Sequence, residues 1–140
     1  MKNLILICLM LTGVTVYAQR MSESKVPVVV KEAFNKKYAG TNAKWELEKG
    51  NYEANFKHDN QTMSALFDNK GTWLETETNI KIDQLPAKIQ NYIAENYKGV
   101  KIKEAAKIKK ANGEINYEAE VKGKDLIFDV EGNFMSAEND

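Results

Sequence analysis

The chain reads "SKVPVVVKEAFNKKYAG" over residues 24–40 and "DQLPAKIQNYIAENYKG" over residues 83–99. The two stretches align without a gap. Pro27 and Pro86, Tyr38 and Tyr97, and Gly40 and Gly99 are each 59 residues apart. Self-similarity at a fixed period marks a structural unit used more than once. Ser24 and Asp83 stand three residues before the prolines, where a side-chain oxygen can cap a helix N-terminus. Proline in the first turn wastes no N–H. Val26, Val30, Phe34 and Tyr38 step by four, as do Leu85, Ile89, Ile93 and Tyr97, so each row predicts one buried helix face. Gly40 and Gly99 stop the helices where a positive φ is needed.

Strands follow each helix. Around Gly50-Asn51 the alternation predicts a type II′ hairpin pairing Lys49 with Tyr52, Leu47 with Ala54 and Trp45 with Phe56. Asn112-Gly113 predicts a two-residue hairpin pairing Ile108 with Tyr117 and Ala106 with Ala119. Two further stretches, "FDNKGTW" (residues 67–73) and "FDVEGNF" (residues 128–134), share the form Phe-Asp-x-x-Gly-x-aromatic. Asp at the first position and Gly at the fourth suit a type I turn closed by a left-handed glycine. Asp68, Gly71, Asp129 and Gly132 are therefore read as turn residues. Phe67, Trp73, Phe128 and Phe134 are read as core beneath the helices.

The expected fold is α+β: two tandem repeats of one helix plus a four-stranded antiparallel sheet, αββββ-αββββ, with the helices on one sheet face. Repeat 1 covers residues 24–79 and repeat 2 residues 83–140, together a single domain after a short tail at residues 19–23. The first 18 residues read as a secretory signal peptide, with Lys2, an apolar run and cleavage between Ala18 and Gln19. The run is shorter than the roughly 20 residues a comfortable bilayer crossing needs. The expected address is the periplasm or the exterior, with no stable membrane insertion after cleavage.

Cleavage removes Cys8, the one cysteine among the 140 residues. The mature chain then has no thiol and no disulfide. It also removes Lys2, leaving 19 basic and 20 acidic side chains, a balance that argues against nucleic acid as partner. His58 is the one histidine, and no nucleophile motif accompanies it. No metal site, cofactor or catalytic group is expected; the Asp-x-x-Gly stretches lack a calcium-loop register. Lys101, Lys103, Lys107 and Lys109 alternate, with Lys107 set opposite Glu118 as a charge pair. Glu48 is set opposite Glu53, with Glu46 beside it, as an acidic patch.

Around the two turns apolar residues fall on both strand faces. Leu66, Leu74, Ile127 and Met135 are expected on the helix-free face as candidate binding residues, since a contiguous exposed apolar patch often marks a partner site. The preferred function is a secreted or periplasmic non-catalytic binding module holding an envelope or extracellular protein or peptide through that face or its loops. The alternative is a small-ligand or cation-binding envelope protein centred on Glu46, Glu48 and Glu53.

The whole pattern resembles the PepSY-like family of small secreted bacterial proteins, also described as β-lactamase-inhibitor-like. The resemblance rests on the early Val-Pro or Leu-Pro, the Tyr-x-Gly helix ends, Tyr-Glu-Ala in a strand and the doubled Phe-Asp-x-x-Gly-x-aromatic. It spans Ser24 to about Ala137. It implies helices packed on antiparallel sheet with an open face, an inhibitor-like binding role and no catalytic residue. The inhibitors that lend the name carry disulfides, which this chain departs from.

Overall fold

A computed structural model describes residues 19–139. The expected signal segment, with its expected cleavage between Ala18 and Gln19, lies outside the described residues. The element order is β1 (Gln19–Met21), α1 (Val28–Lys37), β2 (Ala43–Glu48), β3 (Asn51–His58), β4 (Gln61–Phe67), β5 (Trp73–Asn79), α2 (Ala87–Asn96), β6 (Ala105–Lys110), β7 (Ile115–Glu120), β8 (Lys124–Asp129) and β9 (Phe134–Asn139). All strands join one sheet in sequence order, each antiparallel to the next.

This corrects the expected architecture. The chain is not two repeats of a helix plus a four-stranded sheet. It is one nine-stranded sheet carrying two helices. The reason lies in β5. Its one edge pairs with β4, and its other edge pairs with β6, with Thr78 opposite Lys107 and Asn79 opposite Ala106. Residues 79–82, expected to be a link, thus begin inside a strand that both halves share. The expected tail is also a strand: Arg20 and Met21 pair with Glu46 and Trp45.

Both helices lie on the same sheet face. Val30 and Phe34 of α1 bury against Trp45, Ala54, Phe56, Ala65 and Phe67. Ile89 and Ile93 of α2 bury against Ala105, Ala119, Leu126 and Phe128. The four-residue steps therefore mark the buried faces, with Val26, Leu85 and Tyr38 included. The caps differ from expectation. Ser24 and Asp83 sit inside 3-10 turns, Glu23–Lys25 and Ile82–Gln84, and the N-cap positions are Pro27 and Pro86. The 3-10 turns already use the backbone that Ser24 and Asp83 would have capped.

Two hairpin registers also differ. Lys49 and Gly50 both take positive φ, 48° and 84°, so the turn is the I′ type with Glu48 opposite Asn51. Leu47 then faces Tyr52 and Trp45 faces Ala54. The slip is two residues, so every side chain keeps its face. At Asn112-Gly113 the loop is longer. Gly113 N–H donates to Lys110 O and Lys110 N–H to Glu114 O, the three-residue loop with a left-handed glycine. Ile108 consequently faces Asn116, Ala106 faces Glu118 and Lys107 faces Tyr117. This slip is a single residue, so Ala106 and Ile108 move to the helix-free face. Lys107 is not paired across the strand with Glu118.

The Phe-Asp-x-x-Gly-x-aromatic stretches are hairpin corners. Asp68 Oδ1 accepts from Lys70 N–H and Thr72 N–H, and Asp129 Oδ1 from Glu131 N–H and Asn133 N–H. Those donors hold both carboxyls below the usual carboxylate range, led by Thr72 N–H for Asp68 and by the Asn133 side chain for Asp129. Phe67 pairs with Trp73 and Phe128 with Phe134, and each pairing is followed by a bulge. Phe67 and Phe128 are fully buried, Trp73 is half-buried and Phe134 is exposed.

Candidate functional site

The helix-free face is built from rows of residues that run across the strands. One row reads Arg20, Glu46, Glu53, Leu66, Glu75, Lys110 from β1 to β6. The next reads Lys44, Asn55, Ser64, Glu77, Ile108, Asn116, Asp129. A third carries Ala106, Glu118, Ile127 and Ser136. Each row is a consequence of period-two alternation once the registers are set.

This face is concave. Lys49, in the β2–β3 turn, donates from Nζ to Glu138 Oε2 of β9 at 2.8 Å. Six strand steps separate β3 from β9. At about 4.8 Å per step, a flat sheet would hold them about 29 Å apart. The sheet must therefore curl toward the side on which Glu138 stands. Burial agrees: Asn116 is 0 % exposed, Ala106 3 % and Ile108 6 %, although neither helix lies on this side.

The curl brings carboxylates from separate strands into one field. Glu77 is pushed up to about 7, first by burial, then by Glu53, Glu75 and Asp125, while a hydrogen bond from Glu118 lowers it. Burial also raises Glu48, with Glu53 adding to it and Lys49 opposing. Glu75 is raised by burial, against the pull of Lys110. The face thus combines half-buried acids with apolar spots and a pair of flanking lysines.

The expected site residues divide as follows. Leu66 and Ile127 stand in the rows above, half-buried, beside Glu53 and Glu118. Leu74 and Met135 are the extra residues at the two bulges; Leu74 is half-buried and Met135 is 50 % exposed. β4, with Leu66, and β8, with Ile127, lie four steps apart in the strand order. Glu46 faces Glu53, whereas Glu48 faces Asn51 and not Glu53. The apolar and acidic candidates, treated as alternatives in the sequence, share one face through the Glu53–Leu66 pair. Sequence reasoning missed Glu75, Glu77 and Asp125 as members of this face. The alternation of "WLETETN" placed Glu75 and Glu77 on a common side, but nothing local showed that the side was a concavity. His58 ends β3, with Nδ1 3.2 Å from the Thr41 hydroxyl. Among the described residues, no group of three or more His, Cys, Asp or Glu is arranged to hold a metal ion.

A family model described as "Putative beta-lactamase-inhibitor-like, PepSY-like" matches residues 14–64 and 50–136. The chain belongs to the PepSY-like family. Solved structures with the same fold include a DUF2874 family protein from Bacteroides uniformis, at 20 % identity and TM-score 0.69, covering 81 % of this chain and 88 % of that one. A "putative periplasmic" protein from Bacteroides eggerthii matches at 19 % identity and TM-score 0.68, with 81 % and 88 % covered. A BLIP-like protein from Bacteroides fragilis matches at 25 % identity and TM-score 0.58, over 79 % of this chain and 84 % of that chain. No curated protein matches the chain. These likenesses join the PepSY-like sequence to the single curved sheet with two helices.

Proposed function

We propose that this PepSY-like protein is a non-catalytic periplasmic binding module that holds a protein or peptide segment in the concave, helix-free face. The observation that carries the reading is the meeting of Lys49 with Glu138, which requires a sheet curled into a trough. A trough bordered by Glu48, Glu53, Glu75 and Glu77, with Leu66 and Ile127 among them, suits a basic segment that also carries an apolar side chain. The half-buried acids favour such a partner because a lysine or arginine would offset charges that now repel one another. The periplasmic address rests on the relative described in those words, and the inhibitor-like role on the BLIP-like one. Among the described residues, no helix is long and apolar enough to cross a membrane.

The test is capture from the native envelope fraction on immobilised protein, with Leu66→Asp and Glu53→Lys as variants. Both variants should lose the captured partner while keeping the wild-type circular dichroism. Unchanged capture by both folded variants overturns the face. The cation-binding alternative is checked alongside: a thermal shift with calcium or magnesium that Glu46→Gln removes would replace the peptide reading.

A further inference from the structure

A cleft of about 360 Å³ opens on the helix side of the sheet, away from the trough. Ile82, Ile93, Ala94, Val100 and Ile102 supply its apolar lining, and Gln90 and Lys101 its polar groups. We propose that this cleft binds a free alkyl-chain carboxylate, with the chain among the isoleucines and the carboxylate on Lys101. The proposal goes beyond the peptide-holding trough and involves none of its residues.

Three observations support it. First, the size and lining fit a small-ligand site, which typically spans about 300–1,000 Å³ and joins apolar walls to a few polar groups. Second, the fold does not force the cleft to be apolar. The positions 59 residues earlier, beside α1, line a smaller cleft of about 270 Å³ in which Glu23, Lys31, Asn35, Thr41 and Asn42 stand with Phe34, Ala43 and Trp45. Glu23 stands where the second half has Ile82, Asn35 where it has Ala94, and Thr41 where it has Val100. The α1 cleft thus mixes charged and polar groups with apolar ones, whereas five of the seven residues lining the α2 cleft are apolar. Third, the apolar surface is left open. Ile82 is 39 % exposed at the cleft, and water there gains nothing from it.

The charge selects the headgroup. Gln90 Nε2 is already committed to the Leu85 carbonyl at 2.8 Å. Lys101 is the one charged side chain in the lining, and it favours an anion. An uncharged chain would bury its methylenes equally well but gain nothing at Lys101. A cationic chain would be repelled.

The probe is sodium decanoate below its micellar concentration, titrated by calorimetry and by thermal shift against decanol and decyltrimethylammonium. Decanoate should bind saturably and raise the melting temperature, decanol should bind about tenfold more weakly, and the cationic chain should not bind. Ala94→Leu, at an exposed helix position, fills the cleft without disturbing the core; it should weaken decanoate at least tenfold with an unchanged far-UV spectrum. Lys101→Glu should lose the preference for decanoate over decanol. No binding by the wild type, or binding that Ala94→Leu leaves unchanged, overturns the site. Equal affinity for decanoate and decanol overturns the role of Lys101. A response to anionic vesicles without one to monomeric decanoate assigns the cleft to a membrane surface and overturns the free carboxylate.

Discussion

Gly71 lies directly beneath Val29. A Cβ placed on Gly71 would come within 2.7 Å of both Val29 Cγ2 and the Val29 carbonyl oxygen. The hairpin corner is tucked under the first turn of α1, so the position needs glycine twice: for φ +79° and for space. Gly40 has a similar φ, +74°, but open space around it. Gly40→Ala should therefore cost about 1 kcal/mol, the strain of the left-handed backbone alone. Gly71→Ala should cost about 2–4 kcal/mol, because overpacking is added. Urea denaturation of the two variants measures the difference, and equal costs would remove the packing argument.

The Lys49–Glu138 ion pair is exposed, at 62 % and 51 % of the two side chains, so it adds little stability. A double-mutant cycle with Lys49→Ala and Glu138→Ala should give a coupling of about 0–1 kcal/mol that shrinks with salt. The curl of the sheet does not depend on that pair. Spin labels on Lys49→Cys and Glu138→Cys should report a separation well below the roughly 29 Å of a flat sheet. A distance near the flat value would remove the trough.

Glu77 gives the protein a pH signature. Its folded value of about 7 stands above the ordinary carboxylate value, so the folded state binds more protons between those limits. Stability from this group is thus highest at low pH and falls as pH rises from about 4.5 to about 7. Glu48 and Glu75, also raised, act in the same direction. Asp68 and Asp129 are lowered, and their contribution is lost only at more acid pH. The melting temperature should be higher at pH 5 than at pH 8, with Glu77 accounting for on the order of 2–3 kcal/mol. Glu77→Gln should flatten that slope and stabilise the protein at pH 8. A slope unchanged in the variant would place its source elsewhere.

Ile89 is fully buried beneath α2 among Leu126, Phe128 and Val121. Ile89→Ala should cost about 2–5 kcal/mol by loss of transfer energy and an unfilled cavity. The second core is a separate cluster from the first, so the loss should first appear as faster hydrogen exchange in α2 and β6–β8. Simultaneous loss of protection in α1 would show that the shared sheet couples the two cores fully.

The sequence by itself determined what nearest neighbours in the chain determine. Steps of four made Val30, Phe34, Ile89 and Ile93 the buried helix faces, and Asp-x-x-Gly made two hairpin corners, because helix periodicity and turn chemistry are local. Local rules also set their own limit. Asn112-Gly113 permits both a two-residue and a three-residue loop, and the choice moved Ile108 and Ala106 to the opposite face. Only the tertiary structure decided that β5 pairs on both edges. The β5–β6 contact joins Asn79 to Ala106 across a helix, so no turn rule governs it. It likewise decided that Lys49 meets Glu138, since curvature accumulates from the twist of nine strands and the two bulges and is carried by no single residue. That accumulated curvature is what turned glutamates that alternate harmlessly along their strands into one half-buried acidic trough.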